Sequence, residues 1–170
     1  THRRSSAASD VYKRQENSRT LRALLEKKGV VFNSETDSEV ISHVLEYELG
    51  RVNSPTEALR RTLSKLVGTW GLCAMFLEHD VIMCATNGSP LIIGQGDGEI
   101  FVSSDPHALA MHTQKVVYMD DGYIATLTTD DITMSNMHGE LFDTDITLLE
   151  EEWQEAELGE FEHYMLKEIY

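Results

Sequence analysis

An α+β fold is predicted by one change of period along the chain. Up to Gly68 the apolar residues recur at helical spacing; after it they read as strands for about seventy residues, in runs separated by turn signals and not by helices. Helices followed by antiparallel strands form an α+β pattern, whereas a parallel sheet would alternate the two. Two helix starts are also spelled out. Thr36 with Glu39 three residues on, and Ser54-Pro55-Thr56-Glu57, are capping boxes. The second adds proline at the first helical position, where its missing N–H is not needed.

The elements follow in order. Residues 1–15 are polar, small and aperiodic, and are expected to be a leader or artefact outside the fold. Asn17 is an N-cap for a helix carrying Leu21, Leu24 and Leu25, which Gly29 closes in a left-handed conformation. Val30-Val31-Phe32 is expected to be a short buried strand. The Thr36 box opens an amphipathic helix through Val40, Ile41, Val44, Leu45 and Leu49; the Ser54 box opens another through Leu59, Leu63 and Leu66. Residues 69–78 and 81–86 predict a hairpin turning at His79-Asp80. Residues 91–93 and 100–102 predict a second around Gly94-Gln95-Gly96-Asp97-Gly98. Asp105 caps a short helix with Ala108 and Leu109. Strands are expected at 116–118, 123–127, 132–134 and 141–142, with turns at Asp120-Asp121-Gly122 and His138-Gly139. Residues 161–170 read as helical and stop at Ile169-Tyr170 without a cap, so the native chain is expected to continue.

Composition narrows the function classes. With 170 residues, 41% of them hydrophobic, the chain can bury a core of one ordinary domain. Its longest apolar runs, near Leu72 and Val81, are far short of the roughly 20 residues of a spanning helix. No signal-peptide pattern opens it. The formal charge is −15, and residues 1–28 carry eight of the 14 basic residues, so the remainder is strongly acidic. Such a body argues against nucleic acid and anionic membranes as partners, because neither phosphate backbone nor headgroup would be neutralised. Cys73 and Cys84 lie in apolar strand-like runs and suggest neither a disulfide framework nor zinc; a cytoplasmic protein with two reduced core thiols is the expectation.

The candidate chemistry is sparse. Gly94 to Gly98 sits between strands and not ahead of a helix, so a hairpin turn explains it better than a phosphate loop. His43, His79, His107, His112 and His138 form no metal-ligand spacing, and no strained serine elbow is present. Thr1 could act as a terminal nucleophile, but the aperiodic sequence behind it offers no anchor. The remaining feature is Ser34-Glu35-Thr36-Asp37-Ser38-Glu39-Val40, which places Asp37 in the first turn of a helix. Two readings of Asp37 stand at this point. It can serve the helix dipole, or it can meet a ligand's ammonium group.

The order of motifs resembles a known family. Glu16-Asn17 before a helix, the 34–40 segment, Gly71 in an apolar strand, Gly88-Ser89-Pro90-Leu91 with Ile93-Gly94, Phe101-Val102-Ser103-Ser104-Asp105, and Glu162-His163-Tyr164-Met165-Leu166-Lys167-Glu168-Ile169-Tyr170 resemble the glutaminase domain of the isomerising glutamine–fructose-6-phosphate aminotransferases. The likeness runs from Glu16 to Tyr170, and the closing string is its most discriminating part. It resembles that family's link to a sugar-isomerase domain.

The resemblance implies an incomplete four-layer αββα sandwich of the N-terminal-nucleophile hydrolase type, lacking its first strands. It implies a partial glutaminase domain over 16–158 and the start of a linker over 159–170. In the family, glutamine is hydrolysed and its ammonia passed to fructose 6-phosphate, giving glucosamine 6-phosphate and glutamate. The nucleophile is a chain-terminal cysteine that uses its own amine as base, an asparagine and a glycine N–H bind the oxyanion, and an arginine and an aspartate hold the glutamine carboxylate and ammonium. Only the aspartate has a counterpart here, at Asp37. Mid-strand Cys73 and Cys84 lack a free α-amine, so this chain alone is expected to have no catalytic residue and no glutaminase activity. No cofactor or metal is implied. The partners implied are glutamine, an isomerase domain in cis and, for the full-length protein, a second copy in a homodimer. The amidophosphoribosyl and asparagine-forming amidotransferases share much of the plan but not the ending, and a binding domain that has lost its nucleophile is the alternative outside the enzymes.

Overall fold

A computed structural model describes residues 16–129 and 131–149. The expected leader at 1–15, the expected linker at 159–170 and the helix expected at 161–170 lie outside the described residues.

The helical half starts with α1 (Ser18–Glu26), which buries Leu21 and Leu25 and leaves Leu24 exposed. Its end is a double hydrogen-bonded stop: Gly29, at φ 87°, donates to Glu26 O while Val30 N–H donates to Leu25 O. Asn17 stands at the N-cap position, yet its side chain makes no cap bond. Instead Nδ2 donates to Lys65 O at 2.7 Å, and Oδ1 accepts from Val67 N–H at 3.1 Å, stitching the start of α1 to the chain beyond the third helix.

The strand expected at 30–32 is absent. These residues join no ladder, and Val31 is 77% exposed, while Val30 and Phe32 pack on Leu21, Leu25, Val40 and Val44. An alternating run of three needs a neighbouring strand to become one; here helices take its apolar side.

Helix α2 (Asp37–Val52) and helix α3 (Pro55–Leu63) begin where the capping boxes place them, with Thr36 and Ser54 accepting from the N–H groups of Glu39 and Glu57. Asn53, left-handed at φ 50°, closes α2. Arg60 of α3 donates from Nε to Met137 O at 2.9 Å, fastening the helix layer to the turn that follows residues 132–136 of the sheet beneath it.

The second half is antiparallel throughout. It comprises β1 (Trp70–Phe76), β2 (Val81–Asn87), β3 (Ile92–Gln95), β4 (Ile100–Ser103), α4 (Pro106–Ala110), β5 (Lys115–Tyr118), β6 (Tyr123–Leu127), β7 (Ile132–Asn136), β8 (Leu141–Phe142) and β9 (Thr147–Leu148). One sheet has the order β1-β2-β6-β7-β8 and the other β4-β3-β5-β9. Both expected hairpins form. Gly94 and Gln95 lie within β3, pairing with Phe101 and Ile100, so the turn of the glycine-rich segment is shorter than its composition suggested.

Alternation along the strands builds the layers. Leu72, Ala74, Phe76, Met83 and Ile124 face α2 and α3, meeting Ile41, Leu45, Leu59 and Leu63. Cys84, Ala125, Leu127 and Met134 point the other way and meet Ile93 and Val117 of the second sheet. Ile92 and Val116 turn outward beneath Leu109 and Ala110 of α4. The result is helix, sheet, sheet, helix: an αββα sandwich whose central layer joins the two sheets.

Candidate functional site

The site is built from the loop ahead of α2. Asp37 is the first residue of the helix and half-buried, so its carboxylate sits where unpaired backbone N–H groups and the helix dipole favour negative charge. The loop leading to it is held by three side chains from two helices. From α2, Glu39 reaches back with Oε1 accepting from Asn33 N–H and Oε2 from both Ser34 N–H and Ser34 Oγ, each at 2.6 Å. From α1, Arg22 donates to Ser34 O at 2.6 Å and lies 4.1 Å over the Phe32 ring. His43, one turn beyond Glu39, packs edge-on to Phe32 at 4.9 Å.

Glu39 therefore departs from a simple capping box. Its carboxylate bypasses the cap's own N–H and clamps the two residues before the loop apex, while Ser34 Oγ takes Thr36 N–H at 3.2 Å. The hydrogen bond from the Ser34 hydroxyl, then that from Asn33 N–H, stabilise the ionised form and hold Glu39 down to about 2. This leaves Asp37 on a fixed backbone. Arg22 and His43 escape a sequence reading because their partners are a carbonyl and a ring with no spacing signature; the capping spacing of Glu39 was visible, its actual acceptor role toward Asn33 and Ser34 was not.

The other singled-out residues are dispersed. His107 pairs with Asp105 at the start of α4 at 2.9 Å, and His112 stacks on Phe101 at 4.8 Å. His43 also lies 3.6 Å from Glu39 and 3.5 Å from Glu46. Among the described residues no three His, Cys, Asp or Glu side chains gather as a metal site would require. The segment Gly88–Leu91 bridges the sheets, with Gly88 N–H donating to Asp121 Oδ1 at 2.6 Å. Cys73 and Cys84 are direct cross-strand partners in β1 and β2, and both are free thiols. No helix among the described residues is long and apolar enough to cross a membrane.

A sequence model of the glutamine amidotransferase domain matches residues 13–111, more than half of the chain. The chain belongs to the glutamine amidotransferase domain family. Among its relatives, the glutamine–fructose-6-phosphate aminotransferase (isomerizing) of Vibrio parahaemolyticus is 40% identical over 156 residues, which is 91% of this chain and 26% of that protein. The enzyme of the same name from Thermococcus kodakarensis is 40% identical over 157 residues, with the same two shares. This glutamine amidotransferase domain thus spans about a quarter of the length of the curated relatives it matches.

Its fold is similar to that of the glutamine phosphoribosylpyrophosphate amidotransferase from B. subtilis complexed with ADP and GMP. The TM-score is 0.67 at 19% identity, covering 83% of this chain and 31% of the other. A structure of the allosteric regulatory enzyme of purine biosynthesis gives 0.66 at 21% identity, covering 81% and 30%. At those identities the likeness is one of fold. It agrees with the sandwich that the family resemblance implied.

Proposed function

We propose that Asp37 accepts the α-ammonium group of glutamine, in a glutaminase unit whose ammonia goes to fructose 6-phosphate. The observation that carries this is the clamped loop: Glu39 and Arg22 fix the backbone from Asn33 to Thr36, and a half-buried carboxylate follows at the helix mouth. A carboxylate held in place loses little freedom on meeting an ammonium, and the charge-assisted bond is about twice as strong as a neutral one. Residues 16–158 would be glutaminase and 159–170 the beginning of a link to a sugar-isomerase domain in cis, in a cytoplasmic enzyme that pairs as a homodimer.

The same reading assigns no chemistry to Asp37. Hydrolysis needs a nucleophile with its own base. Cys73 and Cys84 both sit inside strands of the central layer, where neither has an α-amine of its own to act as base. The 170 residues by themselves are therefore expected to release no ammonia from glutamine. Residues 16–170, joined at Glu16 to a segment that starts with the chain-terminal cysteine the family resemblance implies, should do so. Ammonia release measured by a coupled dehydrogenase decides it: release by the 170 residues alone, or none from a folded joined chain, contradicts the proposal.

A further inference from the structure

We propose that Cys73 and Cys84 are a thiol modification site, which hydrogen peroxide oxidises to a disulfide tying β1 to β2. The geometry carries the inference. The two residues are paired in register across an antiparallel ladder, and their sulfurs lie 3.6 Å apart with the Cys84 S–H directed at Cys73 Sγ. Directly opposed residues in such a ladder have Cα atoms about 4.5–5.5 Å apart, inside the roughly 4.4–6.8 Å range that a disulfide spans. The sulfurs need to close from 3.6 Å to the roughly 2.05 Å of an S–S bond.

The two thiols are not equivalent. Cys84 is fully buried and Cys73 is partly exposed. The Cys84 S–H bond to Cys73 lowers the Cys73 thiol from its ordinary value, and the same bond together with burial raises Cys84. Cys73 is thus the thiol that ionises and is reached first. A cleft of about 260 Å³ opens between the sheets, lined in part by Ile82, Ile100 and Val102. Neither cysteine lines the cleft itself, but these three residues also pack in the apolar layer that holds both, so a small uncharged oxidant in the cleft meets the layer in which the pair lies.

The step balances. Cys73 thiolate attacks one peroxide oxygen, the O–O bond breaks, and the departing hydroxide takes a proton to leave as water. Cys73 is then a sulfenic acid. The Cys84 sulfur attacks the Cys73 sulfur, the S–O bond breaks, and the hydroxide leaves with the Cys84 proton as a second water. Two thiols are oxidised by two electrons and one peroxide is reduced to two waters. The sequence reading of both residues as reduced core thiols had no access to this, because an eleven-residue separation acquires register only once the hairpin turn is fixed.

The test uses the intact 170-residue chain treated with hydrogen peroxide under dilute conditions, with thiols counted by alkylation. Both thiols should disappear together, leaving a monomer whose tryptic peptide 66–115, which holds both cysteines, is lighter by two hydrogens and is restored by dithiothreitol. The rate should be at least about tenfold higher in the folded chain than in urea, since the fold pre-positions the sulfurs. In Cys73→Ser, Cys84 should stay reduced while folded; in Cys84→Ser, Cys73 should be trapped by dimedone as the sulfenic acid. Disulfide-linked dimers as the main product, further oxidation of Cys73 without loss of Cys84, or equal rates folded and unfolded would each overturn the proposal. If the variants do not fold, the wild-type rates and products still decide it.

Discussion

At the scale of single residues, Glu39 is the best-defined group in the candidate site. Three hydrogen bonds at 2.6 Å stabilise its carboxylate, led by the Ser34 hydroxyl, and place it at about 2 against an ordinary 4.5. A carboxyl depressed on folding stabilises the folded state above its unfolded value, and that contribution is lost as the pH falls through the folded value. Its window is therefore pH 4.5 down to about 2. Urea midpoints across that window should fall more steeply for the wild type than for Glu39→Gln, which has no proton to take up. Parallel curves would show that the Asn33 and Ser34 bonds do not discriminate between the two charge states. The capping spacing disclosed this residue in the sequence; its second task, gripping the loop, emerged only from the fold because two of the three donors are backbone N–H groups that any residue could have supplied, and the third, the Ser34 hydroxyl, stands at no capping spacing from Glu39.

At the scale of elements, the joint between α2 and α3 rests on a charge taken out of water. Glu48 is 1% exposed and has Lys65 Nζ at 2.9 Å, with Arg51 farther off at 3.9 Å. Removing one partner of a buried pair costs about 3–5 kcal/mol because the other charge is stranded. Here Lys65 is partly exposed and Arg51 remains, so Lys65→Met should cost roughly 2–3 kcal/mol in denaturant unfolding, and adding Glu48→Gln should recover part of it. An unchanged midpoint for Lys65→Met would mean that Arg51 alone compensates Glu48.

Helix starts were legible because their caps are local. Thr36 and Ser54 act within three residues, and both helices begin where those caps predict. Elements that depend on distant partners were not. Residues 30–32 look like a strand but find helices on their apolar side, and β9 was missed because it is two exposed residues, Thr147 and Leu148, defined by pairing with Val116 and Lys115. Asn17 shows the same limit from the other side: its position predicted a cap, while its amide serves Lys65 and Val67 some fifty residues away.

For the whole molecule, the α+β class was readable because the spacing of apolar residues changes from helical to extended after Gly68, whereas the layering came with the family resemblance and the two faces of each strand are told apart only by the fold. Ile92 and Ile93, adjacent in sequence, belong to different apolar layers, as do Val116 and Val117. The order of the strands within each sheet was not readable, since β2 pairs with β6 across forty residues and nothing local selects that partner. The candidate site follows the same division: Asp37 could be picked out by a motif, whereas the clamp that fixes it joins α1, the loop and α2.

The central claim is that Asp37 recognises an ammonium group and takes no part in breaking the amide. It is tested most directly by comparing glutamine with glutaramate, which lacks the α-amine, as substrates for the 170 residues joined to a nucleophile-bearing segment. Loss of a hydrogen bond to a charged group costs about 1.5–3 kcal/mol, so Asp37→Asn should lower kcat/KM for glutamine roughly 10- to 150-fold and leave that for glutaramate unchanged. An equal loss for both substrates would contradict the account and assign Asp37 to the fold or to the chemical step.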